Sequence, residues 1–444
     1  MGDFKYVSIS QFLTEREGRY KPADSKINSL KRLDKIDFLG NIHLSDKPTK
    51  TDMIIVKPGD LVISGINVAK GAIAVYDGKE PITATIHYSS YIFDKNEIDI
   101  SYFKRYLKSP VFIRELKNQV KGGIKTEIKP KHILPIVIAV PDISNQQKIN
   151  THFGSFENEL MDLDSETEKQ KQYLSLLRQS ILQEAIEGKL TTGWRKKNPV
   201  RKDNPDYDAE ALLEKIKQEK KKLIAEGKIK KEKPLAPIKP EEIPFDLPDG
   251  WLWCRLGEIA DGFQYGSSTK SQEIGEVPVL RMGNIQSGRI DWSDMVFTSN
   301  KEEIAKHPLK KGDLLFNRTN SRELVGKTGL FDGLRDAIYA GYLVRFSMMS
   351  ENNPEYANYV MNSKMHREWC NEFKIDALGQ SNLNATKLRD FRFPFPPLAE
   401  QQAIAERVDK LLAMVDKLKK KVTERKVQAE ELMQAVLREA FNGQ

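Results

Sequence analysis

Two long stretches of the chain carry apolar residues at alternating steps of four and three positions, which is the heptad repeat of a coiled-coil helix. The first stretch follows Gln147 and the second follows Gln402. We predict that the two helices pack against each other; the alternative is that each stripe is the buried face of a bundle helix. The predicted interface consists of Phe153, Phe156, Leu160, Leu163 and Leu174 in the first helix and Val408, Leu411, Val415, Leu418 and Leu432 in the second.

The ends of both stretches carry helix-boundary residues. Ser144, with Gln147 three positions later, is typical of a capping box at the start of the first helix. Gly188 and Gly443 are expected to end the two helices, because glycine adopts the left-handed conformation of a C-terminal cap without strain. The predicted helices therefore span 146–188 and 401–444.

The two helices belong to an internal repeat. Residues Pro141–Ile149 reappear as Pro396–Ile404 at an offset of 255 positions, so that one pair of adjacent glutamines matches the other. Further upstream, Gly59-Asp60-Leu61 matches Gly312-Asp313-Leu314. The sequence thus predicts a duplication of about 190 residues per copy.

Each copy has strand and helix patterns ahead of its long helix. Short apolar runs predict strands at 60–64, 72–76, 133–140, 313–316, 329–331 and 391–395. Residues 102–108 and 356–372 have helical periodicity. The predicted fold class is α+β, with tandem domains over 1–145 and 246–400, each followed by a long heptad helix.

The positive charge of the chain is concentrated in one segment. The net charge is +8, and the residues from Lys189 to Pro240 hold all of this excess, while the rest of the chain is balanced. The basic character therefore concerns a Lys-rich linker over 189–245 and not the two domains. Two interpretations remain open: a solvated connection, or a segment that docks onto a partner or onto phosphates.

The sequence carries no convincing active site. The run Ile133–Val140 is the longest apolar one, and it is too short to span a bilayer. The two cysteines, Cys254 and Cys370, form no disulfide framework and suit a reducing, cytoplasmic compartment. The six histidines have no metal-ligand spacing. Gly326-Lys327-Thr328 resembles the end of a phosphate loop, but a strand pattern follows where that loop needs a helix.

Loops at the ends of predicted strands offer a different chemistry. Arginine can donate two hydrogen bonds to guanine, and asparagine or glutamine can bind adenine in the same bidentate way. Such donors follow the strand at 313–316 and recur in equivalent loops of both copies, although an ordinary polar loop remains the alternative. The candidate DNA-contacting residues are Arg318, Asn320, Arg322, Asn317, Arg281, Asn284, Gln380 and Asn382 in the second copy and Ser64, Asn67, Lys70 and Lys125 in the first.

Four segments together resemble a known family. Pro396–Leu412 (PPLAEQQAIAERVDKLL), Gly188–Pro199, Ala211–Glu219 and Gly312–Gly329 (GDLLFNRTNSRELVGKTG) are similar to the specificity subunit of type I restriction-modification enzymes. The resemblance covers nearly the whole chain and is weaker before Lys121. It implies two target-recognition domains, each reading half of a bipartite, asymmetric DNA sequence, and two long helices that pack antiparallel as a spacer.

The resemblance also implies partners that perform the chemistry. Two methyltransferase subunits would bind S-adenosylmethionine, and two motor-nuclease subunits would use ATP and Mg²⁺. The chain itself would be a non-catalytic subunit that binds double-stranded DNA, with no cofactor, metal or membrane of its own. The alternative from another class is a coiled-coil scaffold or adaptor that does not read DNA.

Overall fold

The computed structural model describes residues 5–37, 40–66, 72–119, 129–349, 352–377 and 380–441. They divide into two units, which are described separately. Unit 1 contains the described residues up to Lys169 and those from Lys421 onward, and unit 2 contains those from Gln170 to Lys420.

Unit 1 is an α+β arrangement. Its strands are β1 (Lys5–Ser8), β2 (Leu13–Glu15), β3 (Arg32–Ile36), β4 (Ile42–Ser45), β5 (Met53–Val56), β6 (Leu61–Ser64), β7 (Ile73–Val75), β8 (Ile82–Thr85), β9 (Tyr88–Phe93) and β10 (Val137–Val140). Its helices are α1 (Ile100–Lys108), α2 (Pro110–Gln119), α3 (Pro130–Ile133), the first part of α4 (Ile143–Ile186) and the last part of α12 (Leu398–Phe441). The strand predicted at 133–140 is shorter than expected, because Pro130 starts the short helix α3 and only the last four residues extend.

Two four-stranded sheets of unit 1 share one core. The first has the order β2-β9-β6-β7 with antiparallel neighbours, and the second has the order β4-β3-β8-β5 with β3 and β8 parallel. Strand β6 is buried throughout: Leu61 and Ile63 face the aromatic side chains of α1, while Val62 faces the second sheet. This alternation follows from the two-residue period of a strand.

Unit 2 contains the remaining elements. Its strands are β11 (Leu252–Arg255), β12 (Ala260–Tyr265), β13 (Val277–Leu280), β14 (Ile285–Gln286), β15 (Arg289–Ile290), β16 (Val296–Thr298), β17 (Leu314–Asn317), β18 (Thr319–Asn320), β19 (Thr328–Leu330), β20 (Ile338–Tyr339), β21 (Leu343–Met348), β22 (Ile375–Ala377), β23 (Gln380–Asn382) and β24 (Arg392–Phe395). Its helices are the rest of α4, α5 (Thr192–Lys197), α6 (Ala209–Ala225), α7 (Leu256–Ile259), α8 (Lys301–Lys306), α9 (Pro354–Met361), α10 (Lys364–Phe373), α11 (Ala385–Arg389) and the first part of α12 (Leu398–Phe441).

A six-stranded sheet organises unit 2. Its order is β12-β21-β17-β19-β15-β14, and β17 lies between two antiparallel neighbours at its centre. Leu314 and Phe316 of β17 pack on one apolar cluster and Leu315 on the opposite one. Unit 2 also contains a three-stranded sheet with the order β16-β13-β20, a small sheet with the order β18-β23-β22 and the two-stranded antiparallel sheet β11-β24. The helix predicted at 356–372 is split into α9 and α10, because Ser363 caps the start of the second helix.

The two predicted long helices are present, and portions of both occur in each unit. In unit 1, Phe153 stacks on Phe441 with 6.2 Å between ring centres, and Asp164 pairs with Lys426 at 3.1 Å. In unit 2, Arg178 lies 3.4 Å from Asp416, while Thr191, just past α4, bonds Glu400 near the start of α12. In each unit the residue numbers on one helix rise as those on the other fall, so the packed segments run antiparallel.

The predicted interface on the second helix is partly wrong. Phe153, Val408 and Val415 are buried, and Phe156, Leu160, Leu163, Leu174 and Leu411 are half-buried. Leu418 and Leu432, however, are 47% and 53% exposed, whereas Leu437 and Phe441 are buried. An α-helix drifts by about 20° per heptad from a strict seven-residue repeat. The buried stripe near the end of α12 has therefore moved by one residue.

The start of α4 also differs from the prediction. The cap is Asp142, whose carboxylate accepts the backbone N–H of Asn145 at 2.9 Å, whereas Ser144 already lies inside the helix. The expected end at Gly188 is confirmed by its left-handed backbone, with a φ of 70°. Gly443 lies outside the described residues.

Part of the Lys-rich segment is folded into unit 2. Helix α6 buries Ala209, Leu212 and Ile216 in the main apolar cluster of the unit. The ammonium group of Lys220 donates to the carbonyls of Gly257 and Ala260 at 2.6 and 2.8 Å, and burial lowers its pKa. The interpretation of this segment as a solvated connection is therefore wrong for α6.

Candidate nucleic-acid interface

The structure brings two of the predicted donor-rich segments together in unit 2. After β17, residues Thr319 and Asn320 form β18, which pairs antiparallel with β23. Thr319 lies opposite Asn382, and the Thr319 hydroxyl donates to the Asn382 side-chain oxygen at 2.6 Å. Segments more than 60 positions apart thus form one small sheet, on which Gln380 is exposed and Asn320 and Asn382 are half-exposed.

Arg318 occupies a defined position beside this sheet. Its backbone N–H donates to the carbonyl of Tyr342 at 3.1 Å, and its own carbonyl accepts the N–H of Leu383 at 2.9 Å. Its guanidinium carbon lies 4.8 Å from the centre of the Tyr265 ring. The Tyr265 hydroxyl in turn accepts the backbone N–H of Ala385 at 3.1 Å. Sequence reasoning missed Tyr265, which carries no local signal because it is distant from the loop in sequence.

Arg322 is held more loosely. Its side chain is 74% exposed, and its Nε lies 3.7 Å from a carboxylate oxygen of Asp376. The ammonium group of Lys374 donates to the Arg322 carbonyl at 2.9 Å, which adds a cation that the sequence analysis did not select. The surface formed by Arg318, Asn320, Arg322, Lys374, Gln380 and Asn382 is called the β18 surface below.

Other predicted contact residues are placed where they support loops. Asn284 is 3% exposed, and its side-chain amide donates to the carbonyls of Asp291 and Asp294. Arg281 donates to the carboxylate of Asp294 at 2.9 Å. Asn317 and Ser64 are buried at the ends of β17 and β6. The contacts of Asn284 and Arg281 favour structural roles, and Asn67, Lys70 and Lys125 lie outside the described residues.

A buried carboxylate anchors the central strand of each unit. Asp313, just before β17, accepts the backbone N–H of Lys310 at 2.8 Å and the hydroxyl of Ser347. In unit 1, Asp60, just before β6, accepts the N–H of Lys57 at 2.9 Å and the hydroxyl of Ser90 at 2.8 Å. These contacts hold the turn that leads into each central strand.

An arginine completes each of these anchors. Arg16 makes two bonds to Asp60, at 2.6 and 2.7 Å, and the pKa of Arg16 is raised because this bond favours its charged form. Arg345 approaches Asp313 less closely, at 3.5 Å.

The first glutamine of each repeated Gln-Gln pair joins a long helix to its domain. Gln146 is fully buried, and its side chain accepts the N–H of Asp99 at 2.8 Å while donating to the carbonyl of Pro141. Gln401 accepts the N–H of Asn353 at 2.9 Å and donates to the carbonyl of Pro396. Asp99 caps α1 and Asn353 caps α9.

Unit 2 has a further contact at the start of α12 that the sequence did not reveal. The buried carboxylate of Glu400 accepts bonds from Arg195, Thr191 and the indole of Trp251. Its partners lie in two other segments, so no local pattern identifies it. This cluster holds the residues after α4 against the start of α12.

A polar cavity of about 480 Å³ lies within unit 2 between the long helices and the hairpin β14–β15. Arg178 donates to the carbonyl of Ser287 at the hairpin tip, and Asn358 donates to that of Gly288. Arg289, which begins β15, pairs with Glu355 at 2.7 Å. The hairpin thereby links the six-stranded sheet to α4 and α9.

Across the described ranges, no group of three or more His, Cys, Asp or Glu residues is arranged to hold a metal ion. Within the same ranges, no helix has the length and apolar character needed to cross a membrane.

The part of the chain that carries the β18 surface is similar to a known protein family. Residues 248–425 match the family model of the "Type I restriction modification DNA specificity domain". The resemblance predicted from the sequence is confirmed. The matched residues include the β18 surface and part of α12, so the candidate interface lies inside the region that is similar to this family model.

Individual relatives agree with this match. The chain is 36% identical over 253 residues to the type I restriction enzyme EcoAI specificity subunit of Escherichia coli, and 30% identical over 258 residues to the EcoEI specificity subunit of the same species. These alignments cover 55% and 56% of this chain. They cover 40% and 42% of the relatives, so the chain matches about two fifths of their length.

A solved structure shows the same fold. A chain from work on complex assembly and conformational transition of the type I R-M system aligns with 99% of this chain and 97% of its own length. The TM-score is 0.58 and the sequence identity is 15%. This likeness concerns the fold alone.

Proposed function

We propose that this chain is the DNA specificity subunit of a type I restriction-modification system, reading a bipartite, asymmetric target and carrying the subunits that modify or cut DNA. The observation that carries the proposal is the match of residues 248–425 to the DNA specificity domain, together with the β18 surface found inside that match. Arginine, asparagine and glutamine on one small sheet suit the reading of base edges.

The β18 surface reads the second half-site in this proposal. Arg318, Asn320, Gln380 and Asn382 are the base-contacting candidates, because their side chains are at least partly exposed on one sheet. Arg322 and Lys374 add positive charge beside them, where phosphate contacts would set the orientation of the duplex. Asn284 and Asn317 are assigned to the scaffold because they are buried.

Unit 1 reads the first half-site as a divergent copy of the same domain. The pairing of β6 with β7 and β9 has the same antiparallel pattern as that of β17 with β19 and β21. Parallel pairing of β3 with β8 likewise matches that of β13 with β20. In the loop after β6, the backbone N–H of Gly65 donates to the carbonyl of His87. The equivalent bond in unit 2 runs from the backbone N–H of Arg318 to the carbonyl of Tyr342. That loop is therefore the equivalent reader.

The two long helices form an antiparallel coiled-coil spacer between the readers. Each is 44 residues long, about 66 Å at 1.5 Å per residue. The Asp164–Lys426 and Arg178–Asp416 pairs support antiparallel packing in their respective units. Lengthening both helices by one heptad is expected to change the unread gap in the target while both half-sites stay the same; altered half-sites with an unchanged gap would contradict the spacer.

The chemistry belongs to partner subunits in this proposal. Two methyltransferase subunits supply S-adenosylmethionine-dependent methylation of adenine, and two motor-nuclease subunits supply ATP- and Mg²⁺-dependent restriction. The present chain is not an enzyme and contributes DNA recognition and docking surfaces.

The deciding experiment is methylation of a random duplex library by this chain co-purified with the methyltransferase subunit of its own system. We expect two defined half-sites separated by a gap of constant length, and no methyl transfer by this chain alone. Assembly with the partner but no sequence preference would favour the adaptor alternative. Methylation by the isolated chain would show that it is an enzyme.

A further inference from the structure

Arg318 is a restrained cation that has no counterion among the residues that the structure describes. Within the described part of the chain, no carboxylate lies within 4 Å of its guanidinium, whereas Arg281 and Arg322 each have one. Its Nε is buried and has no hydrogen-bond acceptor among the same residues. Among the described residues, no protein group accepts a hydrogen bond from this half-buried side chain, so the part of its guanidinium that reaches the surface is open to an external acceptor.

Tyr265 determines where that cation lies. The ring is the last side chain of β12, paired in register with Val344, and its hydroxyl is held by the N–H of Ala385 at the start of α11. A guanidinium 4.8 Å from the ring centre gains cation–π attraction and loses rotational freedom before any ligand binds. The backbone of Arg318 is restrained on both sides by bonds to Tyr342 and Leu383.

We propose that Tyr265 is the positioning residue that orients Arg318 to read a guanine in the second half-site, an inference that rests on the proposed function. A planar guanidinium offers two parallel donors that match O6 and N7 of guanine, whereas a lysine ammonium presents a single point charge. Preorganisation on the tyrosine ring lowers the entropy lost on binding.

The test is library methylation by the complete complex carrying Arg318→Ala, Arg318→Lys, Tyr265→Leu or Tyr265→Phe. Arg318→Ala and Arg318→Lys are each expected to lose guanine preference at one position of the second half-site by roughly 10-fold or more. Tyr265→Leu should weaken the same preference by about 2- to 5-fold, the value of an exposed cation–π contact. Tyr265→Phe should retain it, because the ring remains.

A matched control is Tyr207→Leu, which removes another unit 2 tyrosine with an arginine over its ring, Arg201 at 4.0 Å. It should leave every base preference unchanged. Folding is followed by tryptophan fluorescence, because all five tryptophans lie in unit 2.

The outcomes separate the two proposals. If Arg318→Ala relaxes one position and Tyr265→Leu does not, the role of Tyr265 is overturned while the proposed function stands. Uniform weakening by Tyr265→Leu at all positions, together with a lower unfolding midpoint, would mark Tyr265 as purely structural and overturn the inference. Retained specificity in Arg318→Lys would mean a phosphate contact and also overturn it. A wild-type complex without sequence preference would refute the proposed function itself.

Discussion

Unit 1 and unit 2 share the aspartate before the central strand, but they differ at the start of the long helix that follows each domain. Asp60 and Asp313 each accept a backbone N–H three positions upstream and a serine hydroxyl from the neighbouring strand. At the position of Glu400, however, unit 1 has Asn145, which is half-exposed and bonds Asp142 one turn away. Shared contacts hold the scaffold, and the differing ones depend on which extra segment packs against it.

Loss of the Glu400 carboxylate should produce the largest difference between the units. Glu400→Ala leaves the donors of Arg195, Thr191 and Trp251 unsatisfied in a buried site, which is expected to destabilise unit 2 by about 3–5 kcal/mol. Asn145→Ala, the matched change, should cost less than about 1 kcal/mol because the side chain is half-exposed and bonds only the nearby Asp142. Urea unfolding followed by tryptophan fluorescence measures the first effect and hydrogen exchange of unit 1 peptides the second. Equal losses would show that Glu400 is not an anchor.

Replacing the two buried aspartates, Asp60 and Asp313, should destabilise the two units by different amounts. Asp60→Ala breaks a bidentate pair with Arg16, whereas Asp313→Ala breaks a longer contact with Arg345. We expect the loss in unit 1 to exceed that in unit 2 by about 1–2 kcal/mol. Hydrogen exchange of peptides covering β6 and β17 reports both in one experiment. A larger loss at β17 would contradict the ranking drawn from these distances.

Replacing Gln146 or Gln401, the first glutamine of each Gln-Gln pair, is expected to destabilise its unit by a similar amount. Gln146→Ala and Gln401→Ala each leave a buried N–H and a buried carbonyl unsatisfied, at a cost of about 1–3 kcal/mol per variant. Protection of α1 should fall in the first variant and that of α9 in the second. Gln147→Ala is the control, because Gln147 is exposed. If a glutamine substitution leaves the hydrogen-exchange protection of α1 or α9 unchanged, that glutamine does not attach its long helix to the domain.

Acid should weaken unit 2 through His366. Burial among aromatic rings lowers the pKa of this histidine to about 3 from an ordinary value of 6.5. The unfolded chain takes up a proton below pH 6.5 and the folded one does not, so stability falls as the pH decreases from that value. From pH 6.5 to 5.5 the expected loss is about 1 kcal/mol. His366→Phe should flatten this slope in tryptophan-detected unfolding; an unchanged slope would show that His366 does not cause it.

Sequence periodicity predicted the elements whose apolar spacing can be recognised within a single short stretch of the chain. β6 and β17 are short apolar runs after Gly-Asp turns, and both long helices follow from their stripes. The exposed position of Leu432 was missed because a heptad template assumes a constant phase, which a helix of 3.6 residues per turn keeps only when it supercoils. Phase drift does not explain the exposure of Leu418, since Val422 in the same predicted stripe is buried.

The candidate interface was predictable in residue type but not in geometry. A donor-rich loop identified Arg318 and Asn320, yet their neighbours Tyr265 and Lys374 come from distant segments that only the folded sheet brings near. Composition also did not predict where Lys220 lies in the folded unit. The sequence left open whether the Lys-rich segment is solvated or docks onto a partner, and in the folded unit two backbone carbonyls accept hydrogen bonds from Lys220.

The contacts of Gln146 and Gln401 have a consequence for the evolution of such a chain. Gln146 and Gln401 accept hydrogen from the main chain of Asp99 and Asn353, and every residue except proline offers that same N–H group. A domain can therefore be rewritten side chain by side chain, or exchanged as a block, without losing its attachment to the helix. Under the proposed function, this attachment does not depend on the DNA sequence that the domain recognises, so new specificities can arise while the helices stay unchanged.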